Sequence, residues 1–503
     1  MPDHQIDSDV RRRAVVDIGS NSVRLVVYEG PLRSPISIFN EKVLCGLGER
    51  EVGSGNLRDE AMSEALSVLT RFRSLLEDWS LSDYVVFATA AVRDAPNGPA
   101  FLAAIRDIGL NPRLLTGDEE ALYAALGILS GAPRILALPH GALAGDIGGG
   151  SLEISHIHAE APDKVGKRIS LPLGGLRLAG QWAGDRAGAA RYIEAQLGAV
   201  KWLRKSEARE LHMVGGAWRA LARVALNRRG HPLKTLDRFA LSAAEMRSIC
   251  HFVAKQSIEN LEVMPAVQRR RAPTLPFAAL VLDNVLTITG VERIETSSSG
   301  VREGILFSTL DEATHEEDPL LELARYFAIR FGDAQARDEE AMLTLLRQIM
   351  PGTERREERW QRAVIAMANL GLVFQADARP QQSAQTALTL PLRGIGHPGR
   401  VYIAAAIAAR HGAGVDDFAA YLPVDLLDAE QAERAEITGA ALRLFLTLAP
   451  ADSRLLRDIR IEGDGKALRL IGPVADHWGR GPEKRLVRLA DLCGAEADLQ
   501  LTN

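Results

Sequence analysis

The sequence predicts an α/β protein of two similar lobes facing each other across a cleft, followed by a mostly helical C-terminal region. Two observations carry this reading. The segments DIGSNSVRL (17–25) and DIGGGSLEI (146–154) share one layout: the end of a strand, Asp-Ile-Gly, two small residues, Ser, then a second strand. They lie about one small domain apart, too far for a solenoid repeat. After residue 311 the character changes, and apolar residues recur mainly at the three- and four-residue steps of helices. The expected boundaries are 1–135 for the first lobe, 136–310 for the second and 311–503 for the helical region.

The elements follow in order. Residues 14–18 (AVVDI) and 23–28 (VRLVVY) read as strands, and the GSNS loop between them makes a hairpin. Leu66, Leu69, Phe72, Leu75 and Leu76 give residues 60–79 helical spacing. A buried strand is expected at 84–88 (YVVFA), a helix at 101–108 and a short strand at 112–116. The sequence TGDE then opens a helix at 116–129, with Thr116 as N-cap and Glu119 reaching back in a capping box. The second lobe repeats the pattern with strands at 142–147, 152–157 and 167–173. Helices are expected at 186–205 and 242–263, with a strand, a Gly-Gly turn and a helix at 211–225 between them. A helix at 278–289 and a strand at 293–296 close the lobe. THEED reads as an acidic linker. The tail is expected to hold helices at 320–331, 339–350, 356–372, 401–410 and 429–448. One hairpin of residues 455–461 and 467–471 should turn around Gly463-Asp464-Gly465.

Composition excludes several classes. A net charge of −5 argues against a dedicated nucleic-acid binder, although a local groove on an acidic protein still accepts a polyanion. Cys45, Cys250 and Cys493 form no CxxC pair, so neither a zinc site nor a disulfide framework is expected. The start MPDHQIDSDVRRR has no apolar stretch of a signal peptide, and no apolar run reaches membrane-spanning length. The expectation is a cytoplasmic protein with no membrane partner. His140, His156, His158, His397 and His411 form no HxxxH motif and receive no metal role, and no GxSxG elbow is present.

The chemistry concentrates in the two repeated loops. Gly148, Gly149, Gly150 and Ser151 bare backbone N–H groups that suit phosphate oxygens, as do Gly19, Ser20, Asn21 and Ser22. One such loop alone reads equally as a tight turn; two in apposition suit several phosphates in a row. Asp146 ends one strand and Glu153 starts the next on the face of Ser151, and two carboxylates beside a phosphate cradle suit Mg²⁺. Glu119 and Glu120 are both candidates for a general base, although Glu119 already has a capping role. Arg93, in TAAVRDAPNG, reads as a phosphate fork or as a surface ion pair. Gly215 and Gly216 precede a helix and serve either an anion or a tight turn. Arg302 and Glu303 either close the cleft or pair with each other. The run Arg269-Arg270-Arg271 and the pairs Arg204-Lys205 and Arg228-Arg229 suit a polyanion channel or a solvated face.

The segments VVDIGSNSVRLVV, ATAAVRDAPNG, LTGDEEALYAALG, GDIGGGSLEI, MVGGAWRALARV and SSSGVREGIL, in this order, resemble the exopolyphosphatase/guanosine pentaphosphate phosphohydrolase (Ppx/GppA) family. The resemblance spans most of residues 14–306. It implies an actin-like (ribonuclease H-like) fold in each lobe, with Glu120 as catalytic base. It implies Asp146 and Glu153 at a divalent metal, Mg²⁺ or Mn²⁺, and Asn21, Arg93, Gly148, Gly149 and Ser151 on phosphates. The tail, best seen in GIGHPGRVYIAAAIAARHG, resembles the HD-type C-terminal region of the long members. No His-Asp doublet occurs, so the tail is expected to select substrate length and make homodimer contacts. The expected activity is hydrolysis of terminal phosphate from inorganic polyphosphate. The alternatives are pppGpp hydrolysis to ppGpp, a small-molecule kinase of the same fold, and a non-enzymatic actin-like scaffold.

Overall fold

A computed structural model describes residues 11–51, 53–331, 338–450 and 452–502. The chain divides into two compact units between Glu317 and Asp318.

The first unit holds two sheets of matching design. In the first, β1 (Arg12–Ile18), β2 (Val23–Glu29) and β3 (Ile36–Val43) form an antiparallel meander; β4 (Tyr84–Ala88) and β5 (Pro112–Leu114) extend it in parallel beyond β1. In the second, β6 (Ala142–Ile147), β7 (Leu152–Ile157) and β8 (Val165–Leu171) form the same meander. There β9 (Glu210–Val214) continues in parallel beyond β6, followed by β11 (Arg293–Thr296). Only the edge strand β10 (Ala240–Ser242) lacks a counterpart. The repeat read from two short loops therefore extends to whole sheets.

Burial explains the strand pattern. Ala14, Val16 and Ile18 enter one apolar cluster with Leu69, Phe72 and Leu76 of helix Asp59–Asp78. Leu143, Ile147, Leu152 and Ile154 enter another with the helices Gly216–Arg228 and Leu275–Thr289. Gly145 sits in this second core because the Trp218 ring lies where a Cβ would stand, 2.6 Å away. A third cluster joins the two sheets: Val15 and Phe87 from the first, Ala142 and Val214 from the second, and helix Gly117–Gly131 with them. This helix crosses helix Val301–Phe307 at backbone contact, since a Cβ at Gly127 would lie 2.0 Å from the Gly300 carbonyl oxygen. That contact fixes the N-terminus of helix Gly117–Gly131 between the lobes.

The second unit is mainly helical, with helices including Pro319–Arg330, Glu339–Ile349, Arg355–Ala366, Arg379–Thr389, His397–Arg410 and Ala429–Leu448. Helix His397–Arg410 is central: every residue from Val401 to Ala408 is fully buried. Strands β12 (Arg460–Gly463) and β13 (Ala467–Gly472) pair antiparallel around the Asp464 turn, and β14 (Glu496–Leu501) joins β13 in parallel after helix Arg480–Leu492.

Several elements differ from the sequence reading. Residues 186–205 form two helices, Arg186–Gly198 and Lys201–Arg204. Residues 242–263 break likewise at Ser257, whose side chain accepts from Asn260 N–H and starts helix Ile258–Glu262. THEED is not an open linker, because Asp311 caps helix Glu312–Glu316 within the first unit. The first half of the expected late strand is a 3-10 turn, Ser453–Asp458. Among the described residues no helix is long and apolar enough to cross a membrane.

Candidate active site

The two repeated loops close in the same way. Gly19 N–H donates to the Ser22 carbonyl at 3.0 Å, and Gly148 N–H donates to the Ser151 carbonyl at 2.9 Å. The loops also meet. A Cβ at Gly149 would lie 3.0 Å from Ser20 Cβ, and one at Gly150 would lie 3.3 Å from Ser20 Oγ. A side chain at either glycine would therefore press on the other lobe's loop.

The carbonyls of the second loop are already engaged. Gly148 O accepts from Gly175 N–H at 3.1 Å, and Gly149 O accepts from the N–H groups of Leu176 and Arg177, each at 3.0 Å. Gly150 O accepts from Arg177 Nε at 2.8 Å. Arg177 also pairs with Asp94 of the first lobe at 2.6 Å. No hydrogen bond among the described residues uses the N–H groups of Ser20, Asn21, Gly149 or Gly150. They remain as donors beside a cavity of about 260 Å³ between the lobes.

That cavity gathers Gly19, Ser20, Asn21, Ser22, Glu120, Asp146, Gly148, Gly149, Gly150, Ser151, Glu153, Gly215 and Gly216. Gly215 has φ +93°, and a Cβ there would fall 2.6 Å from Asp146 Oδ1, so glycine lets the backbone reach the carboxylate. Arg93 stands apart from the cavity wall. Its guanidinium donates to the Leu115 carbonyl at 2.9 Å and binds the Glu120 carboxylate. It ends the short helix Ala90–Arg93 that follows β4, and from there its guanidinium lies against the acid.

Local structure separates the two neighbouring acids. Glu119 completes the capping box: its carboxylate accepts Thr116 N–H at 2.8 Å, its own N–H donates to Thr116 Oγ1 at 3.2 Å, and Arg113 binds it from outside. Glu120, one residue on, is 6% exposed and lines the cavity. Burial pushes its carboxyl up to about 7, against the pull of Arg93 and with the push of Asp146 and Asp17.

Asp146 and Glu153 face each other as register partners across β6 and β7. Burial raises Asp146 to about 6 despite Arg219 and Arg302. Glu153 is raised well above the usual range by burial, then by Glu120 and Asp146, although Ser170 Oγ donates to it at 2.7 Å. Three carboxyls thus stand close enough to raise one another, in a corner where burial outweighs the nearby arginines. Among the described residues no three His, Cys, Asp or Glu side chains are arranged to enclose a metal ion. The donor set still fits a hard divalent cation held by one or two carboxylates, with water and phosphate oxygens completing the shell.

The rest of the wall is cationic. Arg24, Lys42, Arg219, Arg270, Arg271 and Arg302 line the cavity. Burial, then neighbouring arginines, lower Lys42 to about 8 and Arg271 to about 10. Arg24 falls to about 10 by burial and by Arg302. Arg302 donates to Asp17 at 3.3 Å, whereas Glu303 accepts from Tyr28 Oη at 2.6 Å and from Gly300 N–H at 2.8 Å. Of the basic runs, Arg270 and Arg271 reach the cavity; Arg204, Lys205, Arg228 and Arg229 do not line it. Sequence reasoning assigned no role to Asp17, Arg24, Lys42, Arg219 or Ser170. The repeat itself carries the signal for two of them: Asp17 and Arg24 occupy the places of Asp146 and Glu153.

Two family models match this chain: the Ppx/GppA phosphatase family over residues 14–313, and the exopolyphosphatase C-terminal region over 348–500. Exopolyphosphatase 1 of Mycobacterium tuberculosis is 28% identical over 318 residues, covering 60% of this chain and 88% of the relative. Retrograde regulation protein 2 of Saccharomyces cerevisiae is 25% identical over 442 residues, covering 80% and 73%. An exopolyphosphatase structure from Cytophaga hutchinsonii superposes with TM-score 0.54 at 23% identity, over 59% of this chain and 97% of that one. The Aquifex aeolicus Ppx/GppA family member gives 0.51 at 24% identity, over the same shares. These likenesses establish the actin-like two-lobed fold.

Proposed function

This chain belongs to the Ppx/GppA phosphatase family, and from that premise we propose that it is an exopolyphosphatase that releases terminal phosphate from inorganic polyphosphate. The observation that carries this reading is one cavity holding two facing loops of free N–H donors, a buried acid raised toward neutrality and a wall of six cations.

The terminal phosphate lies between the loops, where Ser20, Asn21, Gly149 and Gly150 donate to its oxygens. Arg24, Lys42, Arg219 and Arg271 hold the phosphates behind it, which restores the counter-charge these groups lack. Glu120 orients a water in line with the bond to be broken and takes its proton. Arg93 positions the Glu120 carboxylate and keeps a useful fraction of it ionised near neutral pH. Asp146 and Glu153 would hold a divalent cation, Mg²⁺ or Mn²⁺, which when bound supplies charge neutralisation on the transferring phosphoryl oxygens. The loops provide the remaining stabilisation, since phosphoryl transfer depends mainly on position and charge.

The test is phosphate release from long-chain polyphosphate and from pppGpp in parallel, with and without a chelator and with no phosphoryl acceptor. Release from polyphosphate that stops with chelator is expected. Release from pppGpp alone would move the substrate to the nucleotide, and turnover only with an acceptor would make the chain a kinase. Glu120→Ala should lower kcat by about 10²–10⁴-fold while polyphosphate still binds; retained turnover would remove the proposed base.

A further inference from the structure

The second unit contains a cavity of about 250 Å³ whose wall is as uneven in charge as the active-site wall. Helix Ala429–Leu448 contributes Glu436 and Arg443, two turns apart on one face. Helix Arg480–Leu492 contributes Lys484, Arg485 and Arg488. The end of helix His397–Arg410 and the turn after it close the third side at Gly412.

Only one of these four cations has a counter-ion. Arg488 Nη2 donates to Glu436 Oε1 at 2.5 Å, and the other Glu436 oxygen accepts Val415 N–H at 3.2 Å. Among the described residues, the side chains of Arg443, Lys484 and Arg485 make no ion pair and no hydrogen bond. Arg485 Nε is fully buried without a partner, an arrangement that costs free energy unless something else accepts the bond. The Arg443 guanidinium lies against Gly412, where a Cβ would fall 2.3 Å from Nη1. Gly412, at φ +102°, allows that approach and turns the charge into the cavity. Burial and Arg485 together push Arg443 below the ordinary arginine range, so two guanidinium groups repel each other across the space.

Nothing in the fold requires three uncompensated cations on an acidic chain, and no aromatic ring lines the cavity to stack a base. We propose that this cavity is a second anion site that binds a short condensed phosphate of the pyrophosphate class. Arg443 and Arg485 grip it from opposite walls, and Lys484 covers the mouth. Guanidinium groups give paired, directional bonds to phosphate oxygens, and three free cations match a polyanion better than a monoanion. The site does not depend on the exopolyphosphatase reading, because it lies wholly within the second unit.

The test counts pyrophosphate sites on the full chain by isothermal titration in low salt with chelator present. Arg443→Ala combined with Arg485→Ala should bind one equivalent fewer than wild type, whatever the first unit binds. Arg485→Met keeps the stem that fills the wall, should weaken the same site about tenfold or more, and should melt no lower than wild type without anion, because it removes one of two repelling charges. An unchanged number of sites in the double variant, or undiminished affinity in Arg485→Met, would overturn the proposal. So would sulfate competing as well as pyrophosphate.

Discussion

The two repeated loops have the same trace and the same closing hydrogen bond, yet opposite electrostatic surroundings. In the first lobe the residue across from Asp17 is Arg24, and Arg302 reaches Asp17 as well. In the second lobe the residue across from Asp146 is Glu153, and Glu120 adds a third acid. One register position, arginine in the first lobe and glutamate in the second, gives the two loops different nearest charges, although Arg302 acts on the acids of both. A duplicated hairpin thereby carries different charges in its two copies.

The largest expected effect comes from erasing that asymmetry on the acidic side. Glu153→Gln removes a carboxylate that would hold the proposed cation, and kcat should fall about a hundredfold or more, with partial recovery at raised Mg²⁺. Arg24→Gln, at the matching place, should instead raise KM for long polyphosphate by about tenfold with kcat nearly kept. If both variants lost kcat equally, the division between the two loops would be wrong.

Next in size are opposite pH shifts. Glu120 must be ionised to accept a proton, so kcat/KM falls as pH drops through its pKa. Arg93 lowers that pKa and Asp17 raises it. Arg93→Gln should therefore move the acid limb of the profile to higher pH, and Asp17→Asn to lower pH. A shift of both variants in one direction would contradict the placement of these groups around Glu120.

The smallest effect concerns packing between the loops. Gly149→Ala puts a methyl 3.0 Å from Ser20 Cβ and 2.9 Å from Leu176 Cδ1, and should destabilise the first unit by about 1–3 kcal/mol in denaturant melts. Ser20→Gly in the same chain should recover part of the loss, since it clears one of the two contacts. Strict additivity of the two substitutions would mean that the loops do not touch.

Much of this was legible before any coordinates. The Asp-Ile-Gly repeat located both hairpins, and the Thr116–Glu119 cap placed Glu120 at a helix start. What stayed hidden has physical reasons. Strand β3 is half-exposed along most of its length, so ISIFNEKV shows no clean apolar alternation. Strand β14 lies at an edge and pairs with a strand more than twenty residues away in sequence. The cationic wall was the least readable part. Arg24, Lys42 and Arg219 come from separate elements, and each alone looks like an ordinary solvated charge. The contact between Arg93 and Glu120 was also hidden, because nothing in TAAVRDAPNG reveals that Glu120 stands beside it.

The carbonyls of Gly148, Gly149 and Gly150 are all bound from behind by residues 175–177. Their peptide planes consequently cannot flip, and the loop offers visiting ions a face of a single polarity. An anion would find the Gly149 and Gly150 amides already aimed, with no reorganisation left to perform.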